Sequence, residues 1–106
     1  MTFNYNKNVL KSIETRLIQL TRTNNQSYGF SISKNQSGGP PYISEIEPDS
    51  PAANSGALKE GDLLLKLNGV DLTQKSYSKI LEIAKKQTDK GTRIDLEIAD
   101  PGNVPA

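Results

Sequence analysis

Hydrophobic and polar positions alternate with a period of two along most of the chain and switch to a helical period once. In "ETRLIQLTR", Arg16, Ile18 and Leu20 alternate with Leu17, Gln19 and Thr21, which predicts a first strand. The turn-rich "TNNQS" over 23–27 separates it from "YGFSIS", where Phe30 and Ile32 alternate with Ser31 and Ser33 as in a half-buried second strand. The glycines and prolines of "KNQSGGPP", 34–41, predict a mobile loop, and "YISEI" over 42–46 a third strand. "DSPAANSGAL" then spells a one-turn helix: Asp49 or Ser50 to cap the first free amides, Pro51 at the first helical position and Gly56 for a left-handed exit. Residues 62–67, "DLLLKL", are apolar on both faces and predict a buried strand that ends at the tight-turn pair Asn68–Gly69. From Ser76 to about Gln87 the spacing changes, and Tyr77, Ile80, Leu81, Ile83 and Ala84 form the stripe of an amphipathic helix. Ser76 is its expected N-cap, and Lys85 and Lys86 suit its C-terminal dipole. After Gly91 the period returns to two, with Ile94, Leu96 and Ile98 facing in and Arg93, Asp95 and Glu97 facing out. The domain is expected over 15–99, between a flexible, Asn-rich extension over 1–14 and a disordered tail over 100–106.

Composition narrows what such a chain can do. At 106 residues there is room for one domain with a thin core. No apolar run approaches the roughly 20 residues of a membrane span, and the N-terminus lacks the continuous apolar segment of a signal peptide, so the expected location is cytoplasmic. Thirteen basic and twelve acidic residues leave a net charge of +1, which does not advertise nucleic-acid binding. With neither histidine nor cysteine, the usual general base, thiol nucleophile and zinc ligands are missing. The acids in "SEIEPD", "KEGD" and "RIDLEIAD" lie singly at spacings that suit solvent-facing positions, and no glycine-rich, lysine-bearing phosphate loop occurs. The expectation is a non-enzyme without cofactor, metal or small-molecule substrate.

"SYGF", 27–30, remains to be explained in a chain with only six aromatic residues. Gly29 could relieve a hairpin corner, with Tyr28 and Phe30 as core residues. Alternatively it could let the backbone approach another group closely, because a loop ahead of a strand can aim consecutive amides at an anion.

The order strand, strand, strand, short helix, strand, turn, long helix, strand, together with "YGF", "SPAANSGALKEGDLLLKLNGVDL" and the amphipathic helix after it, resembles a PDZ domain of the metazoan arrangement over roughly 15–99. The resemblance implies a mainly β fold with two helices: a partly open, roughly five- to six-stranded β-barrel or sandwich capped by one short and one long helix. It also implies a scaffold or adaptor module that binds the free C-terminus of partner proteins. The carboxylate would meet the amides of Tyr28, Gly29 and Phe30, with Arg22 as the nearby basic residue. The last side chain would enter a pocket of Tyr28, Phe30, Ile32, Leu81 and Ala84, while the peptide backbone paired with Phe30, Ser31, Ile32 and Ser33. Ala84 is smaller than the aliphatic residue common at its position, which implies a roomy pocket for a terminal aliphatic or aromatic residue.

Tyr77 stands where the commonest class of the family has a histidine, and Lys79 follows close by. A tyrosine there fits an apolar third-last ligand residue through its ring or an acidic one through its hydroxyl. Lysines 75, 79, 85, 86 and 90 leave a second reading open, a basic surface on phospholipid, and a dimerising structural domain is a third. Partners would bring the module to the inner face of the plasma membrane or to junctions, as one part of a longer scaffold.

Overall fold

A computed structural model describes residues 14–101, and of the expected extension and tail it covers only Glu14, Asp100 and Pro101, all exposed. Within this range the chain forms β1 (Thr15–Thr21), β2 (Phe30–Ser33), β3 (Tyr42–Ile46), α1 (Pro51–Ser55), β4 (Leu63–Leu67), β5 (Val70–Asp71), α2 (Tyr77–Asp89) and β6 (Arg93–Ala99). The strands make one antiparallel sheet in the order β1-β6-β4-β3-β2, with β5 paired to β4. The ends of that order do not join, so the sheet curls without closing into a barrel. β2 is consequently an edge strand, and α2 provides the wall opposite it.

The alternation decides which face is buried. β6 sits between β1 and β4, and its Ile94, Leu96 and Ile98 are completely buried. Across the β1 ladder Ile18 meets Leu96 and Leu20 meets Ile94, while the intervening Leu17 stays 79% exposed. All four leucines of β4 are buried, as expected of a strand covered on both faces. Ile80 of α2 and Ala52 of α1 join Leu64, Leu67 and the inward residues of β1 and β6 in one cluster. Each such aliphatic side chain contributes about 1.5–3 kcal/mol.

Caps and turns follow the expected chemistry. Ser50 accepts from the Ala53 amide as N-cap of α1, Pro51 opens that helix, and Gly56 ends it with φ 68°. Ser76 caps α2 by accepting from the Lys79 amide. Asn68 and Gly69, at φ 50° and 79°, have the two successive positive φ values of a type I′ hairpin turn.

The structure departs from the sequence expectations in three places. β5, only two residues long, pairs Val70 with Leu67 and Asp71 with Lys66 across that turn, and is too short to carry an alternation signal. The 34–41 loop is anchored at its end: Pro40 and Pro41 are buried, and the Pro41 carbonyl accepts from the Leu64 amide at 2.9 Å. Asp62 is buried rather than solvent-facing, its Oδ2 accepting from Arg16 Nη2 at 3.1 Å and from the Lys59 amide at 2.9 Å.

Candidate functional site

The loop into β2 is shaped from behind by α1. The Tyr28 carbonyl accepts from the Ala52 amide at 2.9 Å, and the Gly29 carbonyl accepts from the Glu47 amide at 2.8 Å. In a trans peptide the carbonyl and the following N–H point in opposite directions, and there is no cis bond among the described residues. The N–H groups of Gly29 and Phe30 are therefore directed away from α1 and Glu47. At present the Gly29 amide donates to its neighbour Ser27 Oγ at 3.0 Å.

Gly29 itself is buried at φ 86°, and a Cβ built on it would fall inside the Ser50 side chain. Ser50 cannot easily retreat. Its hydroxyl donates to the Glu47 carbonyl at 2.7 Å while accepting from Ala53 N at 3.2 Å.

Arg22 lies over the Tyr28 ring, 4.8 Å from its centroid. Its Nε and Nη2 donate to the Gly91 carbonyl at 3.1 and 2.9 Å, and Nη1 donates to the Gln26 carbonyl at 3.0 Å. Of the five N–H groups of a guanidinium, these bonds use three, two tying the end of β1 to the turn before β6 and one tying it to the 23–27 loop. The charge is thus held in place beside the loop. Tyr28 packs into the core, and its buried hydroxyl has no hydrogen-bond partner among the described residues.

Between β2 and α2 runs a groove that holds one cavity, and a second lies between the 34–41 loop and the start of α2. The first, about 420 Å³, has Tyr28, Gly29, Phe30 and Ile32 along one side and Leu81 and Ala84 along the other. Arg22, Ser27, Lys85, Thr88 and Asp89 rim its loop end. Leu81 is one of two large apolar side chains left substantially exposed among the described residues, at 44%. The second cavity, about 290 Å³, is lined by Pro41, Tyr77 and Ile80 and flanked by Lys34 and Lys75. Tyr77 of the second cavity donates its hydroxyl to the carbonyl of Ile32, which lines the first, at 3.3 Å.

The carboxylate-loop and side-chain-pocket residues expected from the sequence therefore come together around one cavity. Ser31 and Ser33 lie on the β2 edge as expected, with Ser31 exposed. Lys79 is not brought to the groove: it lines neither cavity and pairs with Glu82 at 3.5 Å. Ser27, Lys85, Thr88 and Asp89 were not anticipated as lining residues. Leu81, Lys85 and Thr88 share one helical stripe by spacing, but polar residues on a helix give no apolar signal to mark it.

The family model for the PDZ domain matches residues 17–99. Among curated proteins, the chain is 33% identical over 89 residues to the Inactivation-no-after-potential D protein of Drosophila melanogaster, covering 77% of this chain and 13% of that protein. It is 35% identical over 71 residues to human Protein lin-7 homolog B, covering 66% and 34% respectively. The chain thus spans a minor part of these relatives. Among solved structures, the second PDZ domain of Dlg1 from the choanoflagellate Monosiga brevicollis superposes with a TM-score of 0.71 at 24% identity, over 81% of this chain and 98% of that one. A choanoflagellate GIPC PDZ domain does so at 0.69 and 22%, over 83% and 91%. At those identities the likeness is one of fold. This chain belongs to the PDZ family, a family of protein-interaction modules that bind C-terminal peptides of partner proteins.

Proposed function

We propose that the groove between β2 and α2 binds the free C-terminus of a partner protein by strand addition. The observation that carries this reading is the conjunction of outward-directed Gly29 and Phe30 amides with an open apolar cavity directly beside them. The ligand carboxylate would take the place of Ser27 Oγ at the Gly29 amide, under the positive field of Arg22 and Lys85. The ligand's last side chain would sit between Phe30, Ile32, Leu81 and Ala84, and its backbone would extend β2 along Phe30 to Ser33.

Ala84 leaves room for a terminal aliphatic or aromatic residue. The Tyr77 ring favours an apolar residue at the third-last position, and Lys34 and Lys75 favour acidic residues further upstream. A few charge-assisted hydrogen bonds at about 1.5–3 kcal/mol each and one buried side chain at about 1.5–3 kcal/mol must offset an association cost of about 4–15 kcal/mol. The expected dissociation constant is of order micromolar, about −8 kcal/mol. Such a module suits a scaffold, where neighbouring domains supply avidity.

Among the described residues no helix is long and apolar enough to cross a membrane, and a cytoplasmic module recruited by partners fits this reading. The test is a titration with N-terminally labelled peptides ending in valine, as free acid and as amide. Binding of the acid with loss on amidation is the expected result. Equal binding of both, or binding only to anionic vesicles with steep salt dependence, overturns the proposal and in the second case favours a lipid-binding surface.

A further inference from the structure

Tyr77 lines the second cavity and Ile32 the first. Tyr77 Oη reaches from the first residue of α2 to the Ile32 carbonyl on β2, linking the groove's opposite walls. A carbonyl that accepts from α2 faces the groove, where β2 offers its unpaired edge, so the Tyr77 hydroxyl occupies an acceptor that an added strand would need for its own amide. Phe30 and Ile32 both line the first cavity, and each strand residue advances about 3.3 Å. Two ligand residues therefore fit on the loop side of the Tyr77 bond, and the third arrives at Ile32.

We propose that the Tyr77–Ile32 hydrogen bond bars the groove: two terminal ligand residues bind without disturbing it, whereas a longer peptide pairs with β2 only after displacing the Tyr77 hydroxyl from Ile32. This rests on the strand-addition reading above. At 3.3 Å the bond is long for a hydroxyl donor and is readily exchanged for a peptide amide. The displaced hydroxyl loses a partner in the exchange unless the ligand supplies another. A peptide with an apolar third-last residue supplies none and bears the full effect of displacement.

The test compares the wild type with Tyr77→Phe, which keeps the ring and removes only the hydroxyl. Two probes are titrated and followed by amide chemical shifts: an acetylated dipeptide ending in valine, and an eight-residue peptide with the same end and valine at the third-last position. The eight-residue peptide is expected to bind Tyr77→Phe about two- to tenfold more tightly, the factor that one neutral hydrogen bond carries. The dipeptide is expected to bind both proteins equally. An unchanged or weaker affinity of the variant for the long peptide overturns the proposal, as does an equal gain for the dipeptide. Failure of the strand-addition reading has a separate signature: amidated and free-acid forms of the long peptide bind the wild type alike, which takes this proposal with it.

Discussion

Gly29 concentrates two constraints in a single residue. Its φ of 86° lies in the left-handed region that a side chain resists, and the space a Cβ would need is filled by Ser50, which is held by hydrogen bonds on both sides. Backbone strain alone costs about 1–2 kcal/mol, and the overlap forces α1 away from the loop. Gly29→Ala is therefore expected to destabilise the domain by at least about 2 kcal/mol, lowering its melting midpoint on the order of 10 °C. A calorimetric midpoint within two degrees of wild type would show that the loop does not lean on Ser50. The importance of this glycine was legible in "SYGF", because a glycine between two aromatic residues at a strand entrance demands an explanation. Its contact with Ser50 was not, because nothing in either stretch records that residues 21 positions apart meet. The same is true of Lys85, whose place at the cavity rim depends on where α2 is set relative to the loop.

At the scale of elements, α1 is too short to be stable in isolation and acts as a brace. Its first turn holds the Tyr28 carbonyl through Ala52 N, and its cap Ser50 is bonded to Glu47, whose own amide holds the Gly29 carbonyl. Cap, helix and loop form a closed circuit of hydrogen bonds, so the loop's amide directions depend on the helix start. Ser50→Ala removes the cap and is expected to cost about 0.5–2 kcal/mol. It should also weaken binding of the free-acid peptide while leaving α2 intact, as followed by backbone amide shifts. If affinity is unchanged in a variant that has lost that stability, the loop keeps its shape without the brace. Most of these elements could be read from the chain because local chemistry dictates them: alternation for β1, β3 and β6, capping residues for both helices, and Asn-Gly for the hairpin. Where local chemistry is silent or ambiguous, sequence reasoning fell short. β5 is only the tail of a turn-defined ladder, and the burial of Asp62 depends on Arg16, 46 residues away, arriving from another strand.

For the whole molecule, the position of β6 between β1 and β4 makes the sheet a cooperative unit, since loss of β6 separates both ladders. Leu96 is fully buried at this junction, opposite Ile18 on one side and Leu67 on the other. Leu96→Ala is expected to cost about 2–5 kcal/mol, a large share of the roughly 5–15 kcal/mol that holds a small domain together. Leu17→Ala, on the exposed face of the neighbouring strand, is expected to change stability by less than about 0.5 kcal/mol. Urea midpoints of the two variants would separate clearly if the faces are as described, and equal losses would overturn that assignment of faces. Folding and function are also linked through mass action, because a ligand that binds only the folded state adds RT ln(1 + [L]/Kd) to stability. Saturation at about 100 Kd adds about 2.7 kcal/mol, enough to restore much of what Leu96→Ala removes. The free-acid peptide should therefore raise the melting midpoint of Leu96→Ala by roughly the same free energy as it adds to wild type, and the amide should not. A gain confined to wild type would mean that the groove's shape depends on the full core packing beneath it. In that case the core and the binding edge could not be treated as separate parts of this fold.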